Sequence, residues 1–175
     1  MKRSLSTLLL VAVIGALPLA LTSCGTIDQN ASLTKKSNYK RVSGSRINHM
    51  ALKGATKSNT RVVVDIADQK AFLLVNGKIA ATSPVSTARA GKRTPRGTFS
   101  ISQKVRSGKI STIYKVEMPY WMRLSGTVFG LHAGYLPGYP ASAGCIRMPA
   151  SMARLFYDHT SYGTRVSIYS SWSGG

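Results

Sequence analysis

The sequence predicts a mainly β fold, a β-sandwich or closed sheet of short strands with one helix packed on it near the C-terminus. Three observations carry that reading. Runs rich in β-branched and aromatic residues recur between residues 61 and 169, separated by Gly, Pro and Asn. Asn76-Gly77 falls between two apolar runs, the strongest short-range hairpin signal. Only one segment repeats apolar residues at helical spacing.

In chain order, Lys2 and Arg3 precede the apolar stretch Leu8–Leu21. A membrane-spanning helix needs about 20 apolar residues, so this stretch reads as a secretory leader over residues 1–23. Leu21-Thr22-Ser23-Cys24-Gly25 resembles the bacterial lipobox. That resemblance implies cleavage before Cys24 and acylation of its thiol, hence an exported protein held to a membrane through a lipid anchor and facing the cell wall. In a cell with two membranes, Gly25 implies the outer membrane and the periplasm. Residues 24–60 are polar and basic without sustained periodicity and read as a flexible tether.

From Arg61 the pattern changes. Strands are expected at Arg61–Ile66, Ala71–Val75 and Lys78–Ala81, the last two joined at Asn76-Gly77. Others are expected at Gly97–Lys104, Thr112–Glu117, Val128–His132, Cys145–Met148 and Thr164–Tyr169. Pro149 suits a first helical position, and Met152, Leu155, Phe156 and His159 then recur at i, i+3, i+4 and i+7, with Gly163 marking the end. His159 falls on the apolar stripe and reads as a packed core residue. The domain is placed at residues 61–170, with a C-terminal tail at 171–175.

Removal of the leader takes Lys2 and Arg3 with it and leaves 22 basic residues against 5 acidic ones. In the cytosol that excess would suggest nucleic acid. In an exported protein no nucleic acid is expected, and the available polyanions are the carboxylate-bearing cell wall and anionic lipid head groups. With Cys24 assigned to lipid, Cys145 has no disulfide partner. It is either paired with a cysteine of another molecule, a buried, inert thiol or a nucleophile.

Its neighbours favour the nucleophile. His132 lies thirteen residues earlier, at the end of the apolar run Val128–Leu131. The glycines and prolines between Gly134 and Pro140 suit a loop that returns the chain. An imidazole beside a thiol can take its proton, giving a thiolate–imidazolium pair with a lowered thiol pKa. Gly144 allows close backbone approach, and the amides of Gly144 and Cys145, with or without that of Ala143, suit an oxyanion hole. Three scattered histidines and one cysteine offer no metal-ligand spacing, and no cofactor is called for.

These blocks resemble the catalytic domain of the L,D-transpeptidases, the YkuD or ErfK family. The resemblance runs through Val64–Lys70, Pro84-Val85-Ser86-Thr87, Thr94–Phe99, Met118-Pro119-Tyr120-Trp121-Met122 and His132–Met148, in the family's order. It implies Cys145 as nucleophile, His132 as base and later acid, and the Ala133 carbonyl as orienter of the imidazole. Arg147 either supports the loop, meets a substrate carboxylate or pairs with backbone carbonyls. Ser142 matches a family hydroxyl that orients the loop or touches substrate. Tyr120 and Trp121 either line the donor groove or pack in the core. Ala143 departs from the pattern, since many members carry histidine there, and the loop between His132 and Cys145 is short.

The reaction so implied is acyl transfer on peptidoglycan stem peptides. Cys145 attacks the diaminopimelate–D-alanine bond, a thioester forms, and an amine accepts the acyl group. That amine belongs either to a second stem or to a lysine of a wall lipoprotein. Water as acceptor would give an L,D-carboxypeptidase, and loss of chemistry would leave a lipid-anchored wall-binding module. A different type of wall cysteine peptidase places its cysteine before its histidine, the reverse of the order here.

Overall fold

The computed structural model describes residues 44–174. In chain order these form β1 (Arg46–Ile47), α1 (His49–Lys53), β2 (Thr60–Asp65), β3 (Lys70–Val75), β4 (Lys78–Pro84), β5 (Gly97–Val105), β6 (Trp121–Leu124), β7 (Gly130–Ala133), β8 (Ile146–Met148), α2 (Ala150–His159) and β9 (Arg165–Tyr169). The leader, Cys24 and the first part of the tether lie outside the described residues. Among those described, no helix is long and apolar enough to cross a membrane.

The strands form one mixed, curled sheet in the order β1-β4-β3-β2-β9-β5-β6-β7-β8. β2 lies in its interior, antiparallel to β3 and parallel to β9. Both of its faces are covered, which is why Val62, Val63 and Val64 read as an unbroken apolar run rather than an alternating one. The β3–β4 hairpin turns at Asn76-Gly77 with φ of 51° and 76°, the positive-φ pair that a two-residue turn requires. Beyond β4 the chain crosses to the far edge of the sheet, where Ser86 bridges Arg147 and Ala88 bridges Ser142. The sheet thereby curls around a core that includes Leu73, Ile101, Met122, Leu131, Ile146 and Phe156.

α2 buries Met152, Ala153 and Phe156. Pro149 is its N-cap rather than its first helical residue. Lys104 closes the other end, donating from Nζ to the carbonyls of Tyr157 and Thr160. His159 is only half-buried, its Nδ1 lying 2.9 Å from the Leu155 carbonyl oxygen.

Four boundaries differ from the sequence-based expectation. The tether does not extend to residue 60, because β1 pairs with β4 and Leu52 of α1 enters the core. Thr112–Glu117 is not a strand. Its β-branched residues have no neighbouring ladder, so residues 109–118 fold on themselves through Met118 N–H to Lys109 O (2.7 Å) and Ser111 N–H to Val116 O (2.8 Å). β6 was not expected, being four residues long and directly preceded by a turn at Pro119-Tyr120. The tail expected at 171–175 is tied back at Trp172, whose ring lies 4.7 Å from that of Phe72 and whose backbone N–H donates to the buried Asp65 carboxylate at 2.9 Å.

Candidate active site

β7 and β8 are parallel, with Leu131 opposite Ile146 and His132 opposite Arg147. Cys145, one residue ahead of Ile146, therefore falls level with Gly130. His132, Cys145 and Arg147 all line one cleft of about 690 Å³. The loop that returns the chain from β7 to β8 is held from outside. Ser86 Oγ donates to the Tyr139 carbonyl (2.8 Å) and accepts the Ala141 N–H (3.1 Å). The Ser142 N–H donates to the Thr87 carbonyl at 2.9 Å. Gln69 in turn fixes Thr87, accepting its N–H at 2.9 Å and donating to its Oγ1 at 2.7 Å.

The last turn before Cys145 is pinned by two buried hydroxyls. Ser142 Oγ donates to the Cys145 carbonyl at 2.6 Å and accepts the Gly144 N–H at 3.0 Å. Thr94 Oγ1 donates to the Gly144 carbonyl and accepts the Ala88 N–H, both at 3.0 Å. Gly144 has φ of +144°, and a Cβ there would sit 2.1 Å from Cε1 of Phe129. Only glycine fits that position.

The Gly144 amide is thus already engaged by Ser142, which corrects its assignment to an oxyanion hole. The amides of Ala143 and Cys145 have no protein acceptor among the described residues.

His132 is 6% exposed. Its Nδ1 lies 2.7 Å from the Ala133 carbonyl oxygen, which can only accept, so the proton sits on Nδ1 and Nε2 is the basic nitrogen. Burial holds its pKa down to about 4, with the Arg147 charge adding to the effect and the Ala133 hydrogen bond opposing it. Burial pushes the Cys145 thiol up, against a hydrogen bond with the Gly130 backbone and the charge of Arg147. The expected thiolate–imidazolium pair is therefore not the resting state. Desolvation penalises both ions, and the two groups rest neutral.

The remaining predicted residues divide. Ala143, Ser142 and Trp121 line the cleft. Trp121 is also buried, with its ring 6.0 Å from that of His132 and its Nε1–H donating to Gln103 at 3.1 Å. Tyr120 does not line the cleft. Its φ of 56° turns it away, edge-on to Tyr157 at 5.9 Å and beneath Arg106. Arg147 packs its stem on Gly134 and its guanidinium 5.4 Å from the Tyr114 ring. Thr94, Gln69, Lys109 and Tyr114 were not singled out from the sequence. For Thr94, a hydroxyl directly before proline was the available cue. Tyr114 and Lys109 lie in or beside a segment read as strand.

Residues 59–168 match the family model for YkuD, the L,D-transpeptidase catalytic domain. The chain belongs to the L,D-transpeptidase family. Its fold is similar to that of an L,D-transpeptidase from Stackebrandtia nassauensis at 26% identity and TM-score 0.59, with 69% of this chain and 60% of that one covered. A second, from Xylanimonas cellulosilytica, matches at 24% identity and TM-score 0.60, covering 65% of this chain and 62% of that one. A third, from Mycobacterium smegmatis, matches at 21% identity and TM-score 0.59, covering 63% and 58%. The chain thus spans less than two thirds of the length of these L,D-transpeptidases. No curated protein matches it by sequence.

Proposed function

We propose that this protein is an L,D-transpeptidase that remodels peptidoglycan by cysteine acyl transfer. The observation that carries the reading is the convergence of His132 and Cys145 on one cleft, with the Nδ1 proton pinned to Ala133 and Nε2 left basic. Cys145 Sγ attacks the carbonyl of the diaminopimelate–D-alanine bond as its proton passes to His132. The amides of Ala143 and Cys145 stabilise the oxyanion. His132 then protonates the departing D-alanine amine, and a thioester remains on Cys145. An acceptor amine, from a second stem or from a lysine of a wall lipoprotein, gives its proton to His132, attacks the thioester and frees the thiol. Arg147, with no carboxylate partner among the described residues, suits a substrate carboxylate.

The test is incubation of the protein with disaccharide-tetrapeptide, with products followed by mass. Crosslinked dimers formed with loss of one alanine support transfer. Tripeptide alone assigns an L,D-carboxypeptidase, and no product with retained wall binding assigns a binding module. Full turnover by Cys145→Ala would overturn the mechanism. The same reading places the protein outside the cytoplasm, anchored through acylated Cys24. Incorporation of labelled fatty acid, and its loss in Cys24→Ala, tests that placement.

A further inference from the structure

Three cations line the cleft, Lys109, Arg123 and Arg147, against a single acid, Glu117. Glu117 accepts the Gly108 N–H at 2.6 Å. It pairs with none of the three, since the ion pairs among the described residues are Lys70–Asp68, Arg106–Asp158 and Arg154–Asp158. Arg123 directs its Nε to the Thr127 carbonyl at 2.7 Å.

Lys109 and Arg147 are seated differently. Lys109 Nζ lies 5.7 Å from the Trp121 ring centroid and Arg147 Cζ lies 5.4 Å from that of Tyr114. An aromatic face holds a cation in place without neutralising it, so both charges stay available to a ligand. Both seats also adjoin the base. The Trp121 ring is 6.0 Å from the His132 ring, and Arg147 stands opposite His132 across the β7–β8 ladder.

We propose that Lys109 and Arg147 are two carboxylate-binding posts beside the catalytic histidine, selecting stem peptides whose side carboxyl groups are free over stems in which they are amidated. The inference rests on the transpeptidase reading and names its substrate class. An amide carries no charge and replaces one acceptor oxygen with an NH₂ donor, which an ammonium or guanidinium cannot meet. Loss of one charge-assisted contact weakens binding by about ten-fold or more.

The test uses full-length protein in detergent carrying Cys145→Ala, titrated calorimetrically with disaccharide-tetrapeptide in free-acid and amidated forms. The free acid should bind about ten-fold more tightly, and added salt should narrow the difference. Lys109→Gln should reduce the ratio several-fold while Lys109→Arg preserves it. Equal binding of the two forms, no binding of either, or an unchanged ratio in Lys109→Gln overturns the proposal. Turnover by the unmodified protein is read separately. Selective binding without product leaves the posts standing and removes the transpeptidase reading. Product formed from both stems with equal affinity does the reverse.

Discussion

Gly144→Ala tests the geometry of the turn before Cys145 most directly. The added methyl would meet Phe129 Cε1 at 2.1 Å, Cδ1 at 2.6 Å and Cζ at 2.7 Å, where ordinary contacts begin at 3.4 Å. The backbone at φ of +144° is also closed to an L side chain. Overpacking costs about 1–3 kcal/mol and a residue held in a disfavoured backbone region about 1–3 kcal/mol more. The sum, about 2–6 kcal/mol, is a large part of the stability of a domain this size. If the fold survives, the strain is relieved by moving the turn that Ser142 and Thr94 pin, and Cys145 moves with it. A displacement of about 1 Å costs on the order of 100-fold in rate. The assay pairs thermal unfolding with acylation of Cys145 by a carbapenem. The midpoint should fall by several degrees and acylation should slow about 100-fold. Gly144→Ala/Phe129→Leu, with the ring removed, should recover part of the loss relative to Phe129→Leu alone, because the backbone strain remains. An unchanged midpoint with unchanged acylation refutes the reasoning.

Three further outcomes are expected. The pKa of His132 is lowered from 6.5 to about 4, so the unfolded chain binds its proton first as pH falls. The stability of the neutral form is fully present above about pH 6.5 and is lost toward pH 4, by about 3 kcal/mol; His132→Gln should flatten that limb of a denaturation series. Cys145 is raised above its ordinary 9.0, so alkylation by neutral iodoacetamide should be slow at pH 7 and climb above pH 9, and a plateau near neutrality would indicate a resting ion pair instead. Thr94→Val leaves the Gly144 carbonyl and Ala88 amide without their partner, at about 1–3 kcal/mol each, and should slow acylation, whereas Thr94→Ser should retain both contacts and the rate.

Much of the fold was legible because its information is local. The β3–β4 hairpin follows from Asn76-Gly77, β2 from an unbroken apolar run, β9 from alternating Val166 and Ile168, and α2 from Met152, Leu155 and Phe156. What was not legible depends on contacts distant in sequence. Ile113 and Val116 have strand propensity but no partner, so they stand exposed at the cleft. Leu52 is one apolar residue in a basic segment, and only the β4 surface explains its burial. The site divides in the same way. Cys145 and His132 are conspicuous by residue type and by the Gly/Pro loop between them. Thr94 reaches the Gly144 carbonyl across 50 residues of sequence, and Lys109 reaches His132 only through the Trp121 ring.

The neutral resting pair constrains how the proposed reaction proceeds. With burial raising the thiol and holding the imidazole down to about 4, moving the proton from sulfur to nitrogen is uphill in the absence of substrate. Arg147 does not offset that cost, because its charge favours the thiolate while opposing the imidazolium. The remaining stabilisation has to come from the substrate. Negative charge passes from sulfur to the carbonyl oxygen as attack proceeds, where the amides of Ala143 and Cys145 are available to receive it. On the proposed mechanism, proton transfer to His132 accompanies attack rather than preceding it. On the same mechanism, a carboxylate seated on Arg147 would cancel the charge that opposes protonation of His132, and the base would strengthen as the donor stem binds.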